Sequence, residues 1–145
     1  MKKILYVLVL VILSFLLHKF CVYRETYVKA EDNITHFSEL YGSNEDIVRA
    51  VIRCESHGLH SAKGDGGNAN GIAQFWEGTF NRMSNKLGEK LDYNSEYDQV
   101  KLLSFAMSKP ELAREWTSYR AIMNGGKYTF YSKVDKKIHT VYCKL

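Results

Sequence analysis

IVRAVIRCESHGLHSAKGDGGNANGIAQFWEGTF, residues 47–80, is the stretch whose reading decides the fold. Val48, Val51 and Ile52 precede Glu55 by seven, four and three positions, so the four side chains share one face of a helix. Ser56 follows the acid, and Gly58 stops the helix. Ser61 to Gly71 holds four glycines and two asparagines, which predicts a loop without regular structure. Gly71-Ile72-Ala73-Gln74 begins fifteen residues past Ser56. Phe75, Trp76, Phe80, Met83 and Leu87 then recur at helical spacing up to Gly88, and Trp76, Phe80 and Met83 read as core. A glutamate on an apolar face stands out, because glutamates are mostly exposed. Apolar surroundings disfavour the charged form and raise a carboxyl pKa to where it can donate a proton. Glu55 is therefore the candidate for acid chemistry, against the plainer reading of a solvated residue at a helix end.

Outward from this stretch, Ser43-Asn44-Glu45-Asp46 fits a loose capping box with Ser43 opening the helix. Ser95-Glu96-Tyr97-Asp98 opens another, with Val100, Leu103 and Met107 as its stripe. Pro110 suits the first turn of a further helix through Trp116. Gly125-Gly126 ends the helical part, and Tyr128, Phe130, Ile138, Val141 and Tyr142 flank Val134-Asp135-Lys136-Lys137 as a short β-hairpin would. The expected fold class is mainly α, a small helical domain with a short β-like C-terminal tail. The expected organisation is a targeting segment over 1–24, a linker over 25–40, the helical domain over 41–126 and the tail over 127–145.

Lys2 and Lys3 precede a 14-residue apolar run from Ile4 to Leu17, the layout of a secretory signal. A membrane span needs about 20 apolar residues, a length reached only if His18 and Lys19 snorkel. Export is the expectation, with the segment either cleaved or kept as a membrane anchor. The +4 net charge sits entirely in residues 1–30, where five Lys/Arg face Glu25 alone; the other 15 basic and 15 acidic residues cancel. A near-neutral exported portion argues against nucleic acid as a partner. Cys21 lies in the targeting segment, which leaves Cys54 and Cys143 as an even pair in an exported chain and makes a disulfide between them the expectation. His57, His60 and Asp65 lack a third and fourth metal ligand of convincing spacing, and the Asp65–Gly71 loop lacks the closing glutamate of a calcium loop. No metal and no cofactor is expected.

The Glu55-Ser56 pair with Gly71-Ile72-Ala73-Gln74 resembles the soluble lytic transglycosylases and their relatives in the lysozyme superfamily, which join a helix-ending Glu-Ser to a later Gly-Leu-Met-Gln. Cys54-Glu55-Ser56 and Gly71-Ile72-Ala73-Gln74-Phe75 are also similar to the resuscitation-promoting factors. Trp116-Thr117-Ser118-Tyr119-Arg120 resembles the Trp…Tyr stretch late in small lysozyme-like domains. The resemblance covers roughly 40–125 and implies a lysozyme-like fold, peptidoglycan glycan strands as partner and Glu55 as the acid. It implies Ser56, Gly71, Gln74 and Tyr119 as substrate-binding residues. The family's Ala-Tyr-Asn-x-Gly block has no clean match, so Tyr119 and Tyr128 both stand as substitutes for its tyrosine. By the resemblance one carboxyl suffices, and Glu55 closes the sugar on its own C6 hydroxyl. A water-using muramidase would need a second carboxylate, for which Asp65 is the first candidate, with Glu77 and Asp92 behind it. A wall-binding or assembly factor that kept the fold without the activity is the third reading.

Overall fold

The computed structural model describes the backbone of residues 2–132 and 136–145, and the side chains of 6–22, 30–129 and 136–145. It divides into two units, one running to Asp32 and one from Asn33 to Leu145. Helix α1 spans Lys2–Tyr41. In the first unit the apolar side chains described between Tyr6 and Val22 are exposed, and among the described residues no helix is long and apolar enough to cross a membrane.

The second unit holds the core. Residues 33–41 are helical, although 25–40 read as a linker; Ile34 and Phe37 are buried, and Phe37 meets Tyr97 edge-on at 4.9 Å. Their i, i+3 spacing is a helical stripe that the surrounding charges obscure. Helix α2 (Glu45–Ser56) is capped by Asn44, not Ser43: the Asn44 Oδ1 accepts from the Ile47 N–H at 3.1 Å. It buries Val48, Val51 and Ile52 and packs against α4 (Glu96–Met107) and α6 (Thr117–Met123). The Ser95 hydroxyl accepts from Asp98 N–H at 3.2 Å and opens α4, as its spacing predicts.

The glycine-rich stretch is more ordered than its composition suggests. Strands β1 (Lys63–Gly64), β2 (Ala69–Asn70) and β3 (Phe75–Trp76) form an antiparallel sheet in that order, with a 3₁₀ turn at Asp65–Gly67. Two-residue strands carry no alternation to read, and Phe75–Trp76 leaves the expected helix to pair with them. Helix α3 is therefore Glu77–Leu87, ending at a left-handed Gly88 with φ 82°. The expected helix from Pro110 to Trp116 stops at Ala113 as α5 (Pro110–Ala113), and Trp116 instead adopts extended backbone as the cap of α6. Phe75, Phe80, Met83, Val100, Leu103 and Trp116 form the buried centre.

Strands β4 (Lys127–Ser132) and β5 (Lys137–Tyr142) make the expected terminal hairpin; Val134 and Asp135 of its turn lie outside the described residues. Cys54 and Cys143 are bridged, with their Cα atoms 5.5 Å apart, so the hairpin's end is fastened to α2 one residue from Glu55. The fold is mainly α with little strand, as expected.

Candidate active site

Glu55 stands at the last turn of α2, where two hollows of about 560 and 680 Å³ meet. Both are lined by Glu55, Asp65, Gln74 and Tyr128, so these four residues form the shared floor. The first hollow runs on to Trp76, Thr79, Trp116 and Thr129; the second runs between α2 and the end of the hairpin. Burial pushes the Glu55 carboxyl above its ordinary range; a hydrogen bond from Ser118 opposes the shift and the nearby charge of Asp65 adds to it. The Ser118 hydroxyl donates to Glu55 Oε1 at 2.5 Å, and the Ser118 backbone adds a smaller hydrogen-bond contribution to the same carboxyl. Ser118 is buried on α6, three positions before Ala121 on the same inward face. The Tyr128 hydroxyl is held protonated by burial and by the charges of Glu55 and Asp65.

The loop behind the acid is tied down at nearly every polar atom. Ser56 Oγ reaches the Ile72 carbonyl at 2.7 Å. Ala73 donates its N–H to Gln99 Oε1 at 3.2 Å, and its carbonyl accepts from the Trp116 indole at 2.9 Å. Gln74 Nε2 donates to the carbonyls of Gly71 at 2.8 Å and Ala62 at 3.0 Å. Both partners are acceptors, so the amide's orientation is determined and Oε1 faces Gly64. Gln99, wholly buried, completes the set by donating Nε2 to the carbonyls of Asn70 at 3.2 Å and Tyr93 at 2.8 Å.

Three expected substrate contacts therefore have other surroundings. Ser56 is buried and bonded to backbone, so it joins α2 to the loop. Gly71 makes room for protein: at φ 81° a Cβ there would lie 2.2 Å from the Gln99 side chain. Tyr119 lines neither hollow around Glu55, whereas Tyr128 lines both. Gln74 does line both. Of the carboxylates, Asp65 shares the floor and accepts the Trp76 indole N–H on Oδ2 at 3.1 Å. Glu77 instead lines a separate hollow beyond Trp76, and Asp92 closes a turn by accepting from the Asn94 N–H at 2.9 Å. Trp76, expected in the core, is 51% exposed and divides the first hollow from that third one. Phe80 and Met83 are buried as expected. Among the described residues no cluster of His, Cys, Asp and Glu is arranged to hold a metal ion.

Sequence reasoning missed Gln99 and Ser118. Gln99 carried a readable signal, a polar residue four positions before Leu103 on the buried stripe of α4. Ser118 lies within the Trp116–Arg120 stretch, but at 63 positions from Glu55 nothing local paired the two.

A helical domain thus places one buried carboxyl, its pKa raised by burial, at the floor of an open cleft, an arrangement suited to general-acid chemistry. The transglycosylase SLT domain model matches residues 32–109, more than half of the chain, and the chain belongs to that family. It is a transglycosylase-type enzyme that acts on peptidoglycan, and so outside the cytoplasm. No curated protein matches the chain. The matched span holds Glu55, Gln74 and Gln99; Ser118, Tyr128 and the second bridged cysteine lie beyond it.

Proposed function

We propose that the chain is a lytic transglycosylase that breaks the β-1,4 bond between N-acetylmuramic acid and N-acetylglucosamine with Glu55 as its single acid and base. The observation that supports this most is the buried Glu55 carboxyl, bonded to Ser118 at the junction of two open hollows. The Glu55 carboxyl gives its proton to the glycosidic oxygen as the bond from that oxygen to the muramic C1 breaks. The C6 hydroxyl of the same sugar then bonds to C1 and returns its proton to Glu55. The product is a 1,6-anhydro end, and the enzyme regains its starting protonation. An internal hydroxyl replaces water and gains from proximity. Gln74 and Tyr128 border the reacting sugar, and the exposed Trp76 offers an aromatic face to a neighbouring one. The apolar segment within residues 1–24 directs the domain out of the cytoplasm and serves as a signal or an anchor.

The rival is a hydrolase with Asp65 as second carboxylate, favoured by the place of Asp65 on the shared floor. Against it, Asp65 is engaged in orienting the Trp76 indole. Mass analysis of muropeptides separates the readings: anhydro ends are expected from the wild type and background cleavage from a folded Glu55→Gln variant. Reducing ends that disappear in Asp65→Asn would replace the transglycosylase with the hydrolase. Absence of any cleavage would leave a wall-binding factor.

A further inference from the structure

The near-neutral balance of the exported portion conceals a division. Residues 31–126 hold ten basic residues against fourteen acidic ones, whereas residues 127–145 hold five lysines against Asp135 and, at most, a carboxylate at Leu145. The positive surplus therefore lies on the terminal hairpin. Strand β5 is two-faced: Ile138, Thr140 and Tyr142 are exposed, while His139 and Val141 between them are partly covered. Lys127 and Thr129, both exposed, stand opposite Tyr142 and Thr140 across the ladder and so share their face. Ile138 is 75% exposed, Leu145 72% and Tyr142 68%, above every other large apolar side chain among the described residues. Lys136 and Lys144, also exposed, flank this face at the two ends of β5. Among the described residues Lys127, Lys136 and Lys144 make no ion pair.

We propose that this outer face docks on an anionic lipid bilayer, with Ile138 and Tyr142 entering the headgroup region and Lys127, Lys136 and Lys144 meeting the lipid phosphates. The inner face belongs to the cleft, where Tyr128 lines both hollows around Glu55. Tyr142 and Lys144 reach the rim of the second hollow and Thr129 that of the first, but Lys127, Lys136, Ile138 and Thr140 line neither. A patch centred outside the cleft suits an extended surface and not a small ligand. Charge selects the surface. A second copy of the hairpin would set lysine against lysine. A purely polar anionic polymer would leave Ile138 and Tyr142 in water. Anionic lipid answers both the lysines and the apolar tips, and it repels the acidic remainder of the domain, so the hairpin side is the one that approaches. The contact is independent of glycan cleavage and holds whether or not Glu55 cleaves.

The test uses the full chain with an environment-sensitive dye on Thr140→Cys, in a Cys21→Ser background, so that the signal comes from the centre of the face. The protein is mixed with vesicles of phosphatidylcholine, with vesicles of phosphatidylcholine and phosphatidylglycerol, and with lipid-free sacculi. Any insertion of the N-terminal segment is common to both lipids, so a difference at this dye belongs to the hairpin. The dye should shift to shorter wavelength on the anionic vesicles alone, and a dye on Asn81→Cys of α3 should not shift on any of them. Salt at about 0.5 M should reverse the shift, since exposed charges are screened. Each of Lys127→Gln, Lys136→Gln and Lys144→Gln should lower the ratio of docked to free hairpin about fivefold. No shift on anionic vesicles, an equal shift on both lipids, or a shift that salt leaves untouched would overturn the inference, and none of these readings needs a lysine variant to fold. A shift on sacculi alone would give the face to a wall polymer. One that grows with protein concentration in the absence of vesicles would give it to a second copy, and either result defeats the lipid contact. Muropeptide release, measured separately, decides the glycan reading.

Discussion

Glu55 is under two opposing influences that substitution separates. Burial and the Asp65 charge favour its protonated form, while the Ser118 hydrogen bond favours the ionised one. The proposed first step needs the proton, so activity should persist below the raised pKa and fall as pH climbs through it. Ser118→Ala removes the larger of the two opposing bonds, leaving that of the Ser118 backbone, and should move this alkaline limb to higher pH; Asp65→Asn removes a like charge and should move it lower. Profiles of kcat/KM against pH check the pair, and limbs that shift in the same direction would refute the account. Stability follows from the same shift. A carboxyl whose folded pKa is raised is most favourable to the native state below its ordinary value of 4.5, and that contribution is lost as pH rises through the folded value. Glu55→Gln should therefore melt above the wild type by a margin that widens from acid to neutral pH in calorimetric scans.

Among the elements, the Gly71–Gln74 loop shows how far the sequence could be read. Glu55 and the loop are legible because each lies within a short, locally patterned segment. What holds them is not legible, because the partners come from α4 and α6, and nothing local marks Ser118 or Trp116 as reaching back. The same limit explains Tyr119: it shares a motif-like stretch with Trp116, but the hairpin brings Tyr128 to the cleft instead. Ser56 and Gly71 sit in a motif that suggests substrate contact, and their neighbours are backbone and Gln99. Gln99→Leu tests this holding role. It leaves the Ala73 N–H and the Asn70 and Tyr93 carbonyls without their partner. Buried unsatisfied groups cost about 1–3 kcal/mol each, so a loss on the order of 3 kcal/mol or more is expected in denaturant unfolding. Wall cleavage should fall as well, although Gln99 lines neither hollow around Glu55. A variant of native stability would show that the loop holds itself.

Across the whole molecule, the disulfide turns a terminal hairpin into a wall of the cleft. The family match ends at residue 109, yet Tyr128, Thr129 and Val141 line the hollows around Glu55, and they do so on a hairpin whose last residues are bonded to α2. The Cys143 N–H also donates to the Gly126 carbonyl at 2.7 Å, which closes the hairpin's open end. Cys143→Ser keeps that backbone bond and removes only the covalent one. With the cysteines 89 positions apart, loss of the link should cost roughly 4 kcal/mol in the chain-entropy model. Below the lowered melting temperature the variant should still fold, because the helical core is built without the bridge. There Glu55 and Ser118, on α2 and α6, keep their geometry while the Tyr128 wall is loosened. The expected kinetic result is a KM that rises more than kcat falls. Cys21→Ser, which alters an exposed free thiol, is the control and should change neither quantity. Thermal melts with and without reductant, run beside muropeptide release assays, decide the matter. If Cys143→Ser melts and cleaves like the wild type, the bridge neither holds the hairpin nor shapes the cleft.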